Sequence, residues 1–133
     1  MATLRDIVVD CAKPSALARF WAAALDGYAV EPYDEAEIAR LKSLGIEDIE
    51  DDPGVAMRQR AGGGPRFFFQ QVPEPKTVKN RWHVDLNAED REAEVGRLIA
   101  LGARRLRDVV NESGGEWTVM QDPEGNEFCV MAR

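Results

Sequence analysis

Asn80-Arg81-Trp82-His83-Val84-Asp85-Leu86 and Asp122-Pro123-Glu124-Gly125-Asn126-Glu127-Phe128-Cys129-Val130 are the two stretches on which the fold turns. Each sets a reactive side chain at the head of an alternating, strand-like run. The first brings His83, the single histidine of the chain, to the start of a strand over 81–87. The second makes a tight turn at Asp122-Pro123-Glu124-Gly125 and puts Glu127 at the start of a strand over 126–132. Parity then gives His83, Asp85 and Asn87 one strand face and turns Trp82 to the other, toward the core. The spacing suggests that the two side chains meet across a sheet.

Working outward, the pattern between these stretches is a helix and two more strands. Asn87 is a candidate cap for a helix beginning near Ala88, with Asp90 three residues on. Val95, Leu98 and Ile99 form its apolar stripe and Gly102 ends it. Strands are expected over 103–107 and 116–121, with a turn at 111–115.

Upstream, the same order of elements appears once already. Residues 4–11 alternate as a strand, with Asp6, Val8 and Asp10 on one face and Ile7, Val9 and Cys11 on the other. Pro14 suits the first turn of a helix carrying Leu17, Phe20, Trp21, Ala24 and Leu25, which Gly27 stops. Phe20 and Trp21 are expected in the core. A second short helix over 34–44 is followed by an acidic stretch, Glu47 to Asp52, in which five of six residues are acidic. That stretch reads as a solvated loop, because it lacks cation-ligand spacing. Strands over 55–60 and 66–72 flank Ala61-Gly62-Gly63-Gly64-Pro65. This is a hairpin connection and not a phosphate loop, since no helix follows it. Residues 73–79 read as a linker.

The repetition extends to single residues. A shift of 77 lays Asp6-Ile7-Val8-Val9-Asp10 over His83-Val84-Asp85-Leu86-Asn87, polar face on polar face. Gly64 to Gln70 likewise overlies Gly125 to Met131, so Arg66 falls on Glu127. The chain is therefore expected to be α+β, a single domain over 1–133. Module one covers 1–72 with a helical insertion, and module two covers 80–133. Neither half buries a sheet face alone at this size.

Composition narrows the function classes. The 133 residues carry a net charge of −7, which opposes non-specific binding to nucleic acid and to anionic lipid. No apolar run is long enough to span a membrane and no basic-then-apolar leader opens the chain, so a cytoplasmic location is expected. Cys11 and Cys129 lie in strand-like contexts and read as reduced core cysteines. A catalytic thiol would need an activating base, which His83 alone can supply.

Asn80 to Leu86, Leu101-Gly102-Ala103 and Asp122 to Val130 resemble the glyoxalase-like branch of the vicinal oxygen chelate superfamily (glyoxalase I, bleomycin- and fosfomycin-resistance proteins, extradiol dioxygenases). Asp10-Cys11-Ala12-Lys13-Pro14, Leu17-Ala18-Arg19-Phe20-Trp21 and Phe69 to Lys76 resemble the first module of the same family. The resemblance implies two tandem βαββ modules whose mixed sheet curls around a cup-shaped cleft, and it implies a homodimer. In metal-dependent relatives, ligands come from the first and last strands of each module. Here His83 and Glu127 match both positions in module two, and would be the catalytic pair of a lyase, isomerase or dioxygenase-type enzyme. In module one the matching positions hold Asp6 and Arg66.

Two readings follow. In one, Asp6, His83 and Glu127 hold a divalent metal (Zn, Ni, Fe or Mn) that polarises a substrate carbonyl or holds vicinal oxygens, easing formation of an enediolate. In the other, the metal site is degenerate, His83 pairs with a neighbouring carboxylate, and the cup binds a small organic ligand. Arg66, Phe68 and Gln70, alternate residues of one strand, would then grip an anionic or planar molecule by charge and stacking. Trp117 joins them if it faces inward.

Overall fold

The protein was analysed as a computed structural model, which describes residues 1, 4–80 and 83–132. The chain divides into two compact units, Met1–Pro75 and Lys76–Arg133. Both run strand, helix, three strands.

In the first unit these are β1 (Asp6–Cys11), α1 (Pro14–Ala24), β2 (Tyr28–Val30), β3 (Gly54–Gln59) and β4 (Arg66–Gln71). The helix α2 (Glu35–Ser43) and a short 3-10 turn, Ile49–Asp51, are inserted between β2 and β3. The sheet order is β1-β4-β3-β2, with β1 parallel to β4 and the other pairs antiparallel. The second unit repeats this with β5 (Asp85–Ala88), α3 (Arg91–Ala100), β6 (Arg104–Val110), β7 (Glu116–Gln121) and β8 (Glu127–Ala132), in the order β5-β8-β7-β6. The expected α+β class and the tandem modules are both present.

One face of each sheet is closed by its helix. Under α1 lie Cys11, Val55, Met57 and Phe69, all buried, against Leu17, Ala18, Phe20 and Trp21. Pro14 opens α1 at its first turn, where a missing N–H costs nothing. Under α3 lie Met120, Phe128 and Val130, against Val95 and Leu98. Ile99, expected on the same stripe, is 46% exposed.

Three local expectations are corrected. The helix α3 starts at Arg91, not near Ala88. Asn87 and Ala88 are taken by the parallel ladder, opposite Met131 and Ala132, and Asp90 caps the helix by accepting a hydrogen bond from the Ala93 N–H. β2 has no counterpart in the strands read from sequence, because three residues are too few for a periodic signal. The strand expected over 81–87 pairs from Asp85, although the Val84 carbonyl already accepts the Cys129 N–H. Its first residues, Arg81 and Trp82, and with them the inward turn of Trp82, lie outside the described residues. Among the described residues no helix is long and apolar enough to cross a membrane.

The turn before β8 is set by Asp122, a residue only 1% exposed. Its carboxylate accepts from the backbone N–H of Glu124 and of Asn126 and from the Asn126 side-chain amide, each at 2.9 Å. Gly125 takes a positive φ of 87°, which a side chain would strain. Much of the Asp122–Asn126 stretch is thus devoted to delivering Glu127 to the head of β8.

Candidate functional site

The face of each sheet opposite its helix is open, and the candidate residues stand there. In the first unit the ladder sets Asp6 beside Arg66, Val8 beside Phe68 and Asp10 beside Gln70. Arg66 Nε and Nη2 donate to the two oxygens of Asp6, both at 2.7 Å. This paired, planar geometry is the strongest that an arginine makes with a carboxylate. The bonded guanidinium holds the Asp6 carboxyl below its ordinary range, and the carboxylate raises Arg66 in return. Gln70 Nε2 donates to Asp10 Oδ1 at 2.6 Å.

The tip of the Phe68 ring meets β3 at Gly54. A Cβ built on Gly54 would come within 2.8 Å of Phe68 Cζ, so the missing side chain makes room for the ring. The Arg66 guanidinium carbon sits 5.9 Å from the ring centroid, at the outer limit of a cation–π contact. Arg66, Phe68 and Gln70 line one cleft of about 680 Å³, walled across from them by Glu31, Tyr33 and Asp52. Tyr33 donates its hydroxyl to Asp52 Oδ2 at 2.8 Å. Burial, then that carboxylate, push the phenol well above its usual range. On the other side of Arg66 a second hollow, about 320 Å³, gathers Arg5, Arg58 and the backbone of Gly62, Gly63 and Gly64.

In the second unit His83, Asp85, Glu127, Cys129 and Trp117 line a cleft of about 270 Å³ with Lys79 and Arg107. Trp117 therefore faces inward. His83 and Glu127 share the cleft, but each has its own partner. Lys79 donates to Glu127 Oε2, and Arg107 stands 3.9 Å from Oε1. The Lys79 ammonium, assisted by Arg107 and Lys76, holds the Glu127 carboxyl below its ordinary range. His83 Nε2 is 3.4 Å from Asp85 Oδ1.

The three named metal ligands thus differ in availability. Asp6 spends both oxygens on Arg66, Glu127 is ion-paired to Lys79, and only His83 lacks a cationic partner among the bonds described. A divalent cation at Asp6 or Glu127 would have to displace a like-charged side chain, so these two carboxylates do not fit a ready-made metal set. Sequence reasoning missed Lys79, placed in the linker, and gave no ligand role to Asp85 or Cys129. Their signal was parity: each stands two residues past His83 or Glu127 on the same face. Cys11 and Cys129 are both buried and neither forms a disulfide, as expected. Burial, then Asp85, push the Cys129 thiol up, which opposes its use as a free thiolate nucleophile.

A family profile described as Glyoxalase-like domain matches residues 6–131. No curated protein matches the chain by sequence. Among solved structures, a glyoxalase/bleomycin resistance protein/dioxygenase family enzyme from Burkholderia phytofirmans PsJN is 17% identical, with 98% of each chain covered and a TM-score of 0.65. A glyoxalase-related enzyme from Fulvimarina pelagi is 15% identical, covering 100% of this chain and 89% of that one, with a TM-score of 0.63. A bleomycin-binding protein solved with bleomycin is 12% identical, covering 100% and 99%, with a TM-score of 0.56. At such identities these likenesses speak to fold alone. The profile match spans nearly the whole chain, from the head of β1 into β8, and on that ground the protein belongs to the glyoxalase-like domain family.

Proposed function

We propose that this protein binds a small planar organic molecule bearing an anionic group, on the open face of its first sheet and without a metal. The observation that carries the reading is the half-buried Phe68 ring, its tip against Gly54, in the lining of a cleft of about 680 Å³. A flat, half-buried ring in a concave site is a stacking surface that tolerates many aromatic partners. Arg5, Arg58 and Arg66 gather at one end, where Asp6 pairs with Arg66 and Glu31 with Arg58, so one net positive charge is left there to meet a carboxylate or phosphate. The bleomycin-binding relative supports small-molecule binding as a use of this fold. A lyase, isomerase or dioxygenase reaction at His83 and Glu127 is the less supported alternative, because Glu127 would first have to leave Lys79. Exposed Val8, Leu106 and Val110 on strands are consistent with the homodimer that the family implies, which light scattering in solution would test.

The experiment is a thermal-shift screen of aromatic carboxylates, aromatic phosphates and aromatic amines, with and without chelator. The expected result is stabilisation by the anionic aromatics, unchanged by chelator and lost in Phe68→Ala. Uniformly flat shifts, shifts that need added metal, or shifts that survive Phe68→Ala would each overturn the reading.

A further inference from the structure

The open face of the second sheet carries a different chemistry. Among the described residues, His83, Asp85 and Cys129 offer an imidazole nitrogen, a carboxylate oxygen and a sulfur that all lie within 4.8 Å of one another. The fold brings them together for a simple reason. Asp85 and Cys129 are direct partners in the parallel β5–β8 ladder, and His83 stands two residues before Asp85. The ladder already reaches back toward His83 through the Val84 carbonyl and the Cys129 N–H.

We propose that His83, Asp85 and Cys129 form a binding site for one thiophilic divalent cation of the zinc class, separate from Glu127. Three features point that way. The donor set mixes nitrogen, oxygen and sulfur, which suits zinc and disfavours magnesium or calcium. The spacing fits along one edge, and the sulfur stands within 4.8 Å of both other donors, a distance that side-chain rotation on binding would have to close. Two ligands on a tetrahedral zinc lie about 3.3 to 3.8 Å apart, given the usual zinc–ligand distances. His83 Nε2 and Asp85 Oδ1 are 3.4 Å apart, long for a hydrogen bond but correct for one edge of such a tetrahedron. Finally, the cluster opens into the cleft shared with Trp117, Glu127 and Lys79, which leaves a fourth position for water or a ligand. Binding releases the Cys129 thiol proton to solvent and forms the metal–sulfur bond, with no change of oxidation state.

Glu127 stays with Lys79 in this arrangement, which separates it from a site built on His83 and Glu127. The separation makes the proposal testable with metal alone. Untagged, reduced protein is titrated with Co(II), then with Zn(II) as competitor, and followed by absorbance and by metal analysis. The expected result is one equivalent of metal, with a thiolate-to-cobalt charge-transfer band and the visible bands of tetrahedral cobalt, all displaced by zinc. Cys129→Ser and His83→Ala should abolish the charge-transfer band, and Asp85→Asn should weaken binding. Glu127→Gln should leave both band and stoichiometry unchanged. Melting curves without metal check that each variant is folded; should Cys129→Ser fail that check, His83→Ala and Asp85→Asn carry the test. No uptake by the wild type, uptake without a charge-transfer band, or loss of binding in Glu127→Gln would overturn the proposal. None of these outcomes bears on the Phe68 cleft, whose screen includes an arm with chelator.

Discussion

The two modules share an order of strands and a ladder register but fill the open face of the sheet with opposite chemistry. Asp6 and Arg66 head the first module's parallel ladder and neutralise each other through two hydrogen bonds. His83 and Glu127, which the repeat lays over them, turn away to Asp85 and Lys79. One row further in, the bulk changes strand. In the first module Phe68 on β4 covers Gly54 on β3. The antiparallel registers make Cys129 the counterpart of Phe68 and Trp117 the counterpart of Gly54. The aromatic has moved to the neighbouring strand, and a thiol stands where the ring was. A duplicated scaffold can thus carry an aromatic ring in one copy and a thiol beside a carboxylate and an imidazole in the other, while the helix-covered face keeps the same packing role in both.

The sharpest way to test that the helix-covered faces are equivalent is to delete corresponding core side chains. Phe69 and Val130 are both 0% exposed and stand at matching ladder positions. Phe69→Ala should cost about 3–5 kcal/mol in chemical denaturation, and Val130→Ala clearly less, in proportion to the smaller cavity. Equal costs would mean that the second core is packed on different terms.

A smaller effect should appear at Gly54. Gly54→Ala sets a methyl against the far end of the Phe68 ring, which can swing aside on the open face, and should cost about 1 kcal/mol, most of it recovered in a Phe68→Ala background. Additive losses in that double-mutant cycle would show that the ring is not the obstacle.

The mildest test concerns acid. Asp6 titrates below its unfolded value because of Arg66, so its stabilisation is complete above the ordinary aspartate pKa of 3.8 and fades as pH falls through the lowered native value. Arg66→Ala should therefore flatten the acid limb of the melting temperature. Glu127 is shifted in the same direction by Lys79, so Lys79→Ala should act likewise on the limb below 4.5. Its effect should be weaker, because the Lys79 side chain is 65% exposed against 25% for Arg66. A steeper limb in either variant would reverse the assignment.

Much of this architecture was legible residue by residue. The alternation at Asp6–Cys11 and the helical stripe from Leu17 to Ala24 fold as read, because each is long enough for its period to stand out. Tyr28–Val30 and the start of α3 were not legible. The first is too short, and at the second the pull of the ladder on Asn87 and Ala88 overrides a plausible local cap. Among the site residues, the shared face of Arg66, Phe68 and Gln70 followed from parity. The partners that set their chemistry did not: Asp6 for Arg66, Gly54 for Phe68 and Asp10 for Gln70 are each many residues away in sequence.

The sequence by itself determined the duplicated strand–helix–strand plan, the faces of the strands and the placement of His83 and Glu127 near the heads of theirs. These depend on local periodicity and turn chemistry, which neighbouring residues decide. Only the tertiary structure decided which charges cancel and which donors converge. Glu127 is bound by Lys79 across 48 positions of chain, and Cys129 meets Asp85 across 44, because ladder register and the reach of long side chains act between segments that no local pattern connects.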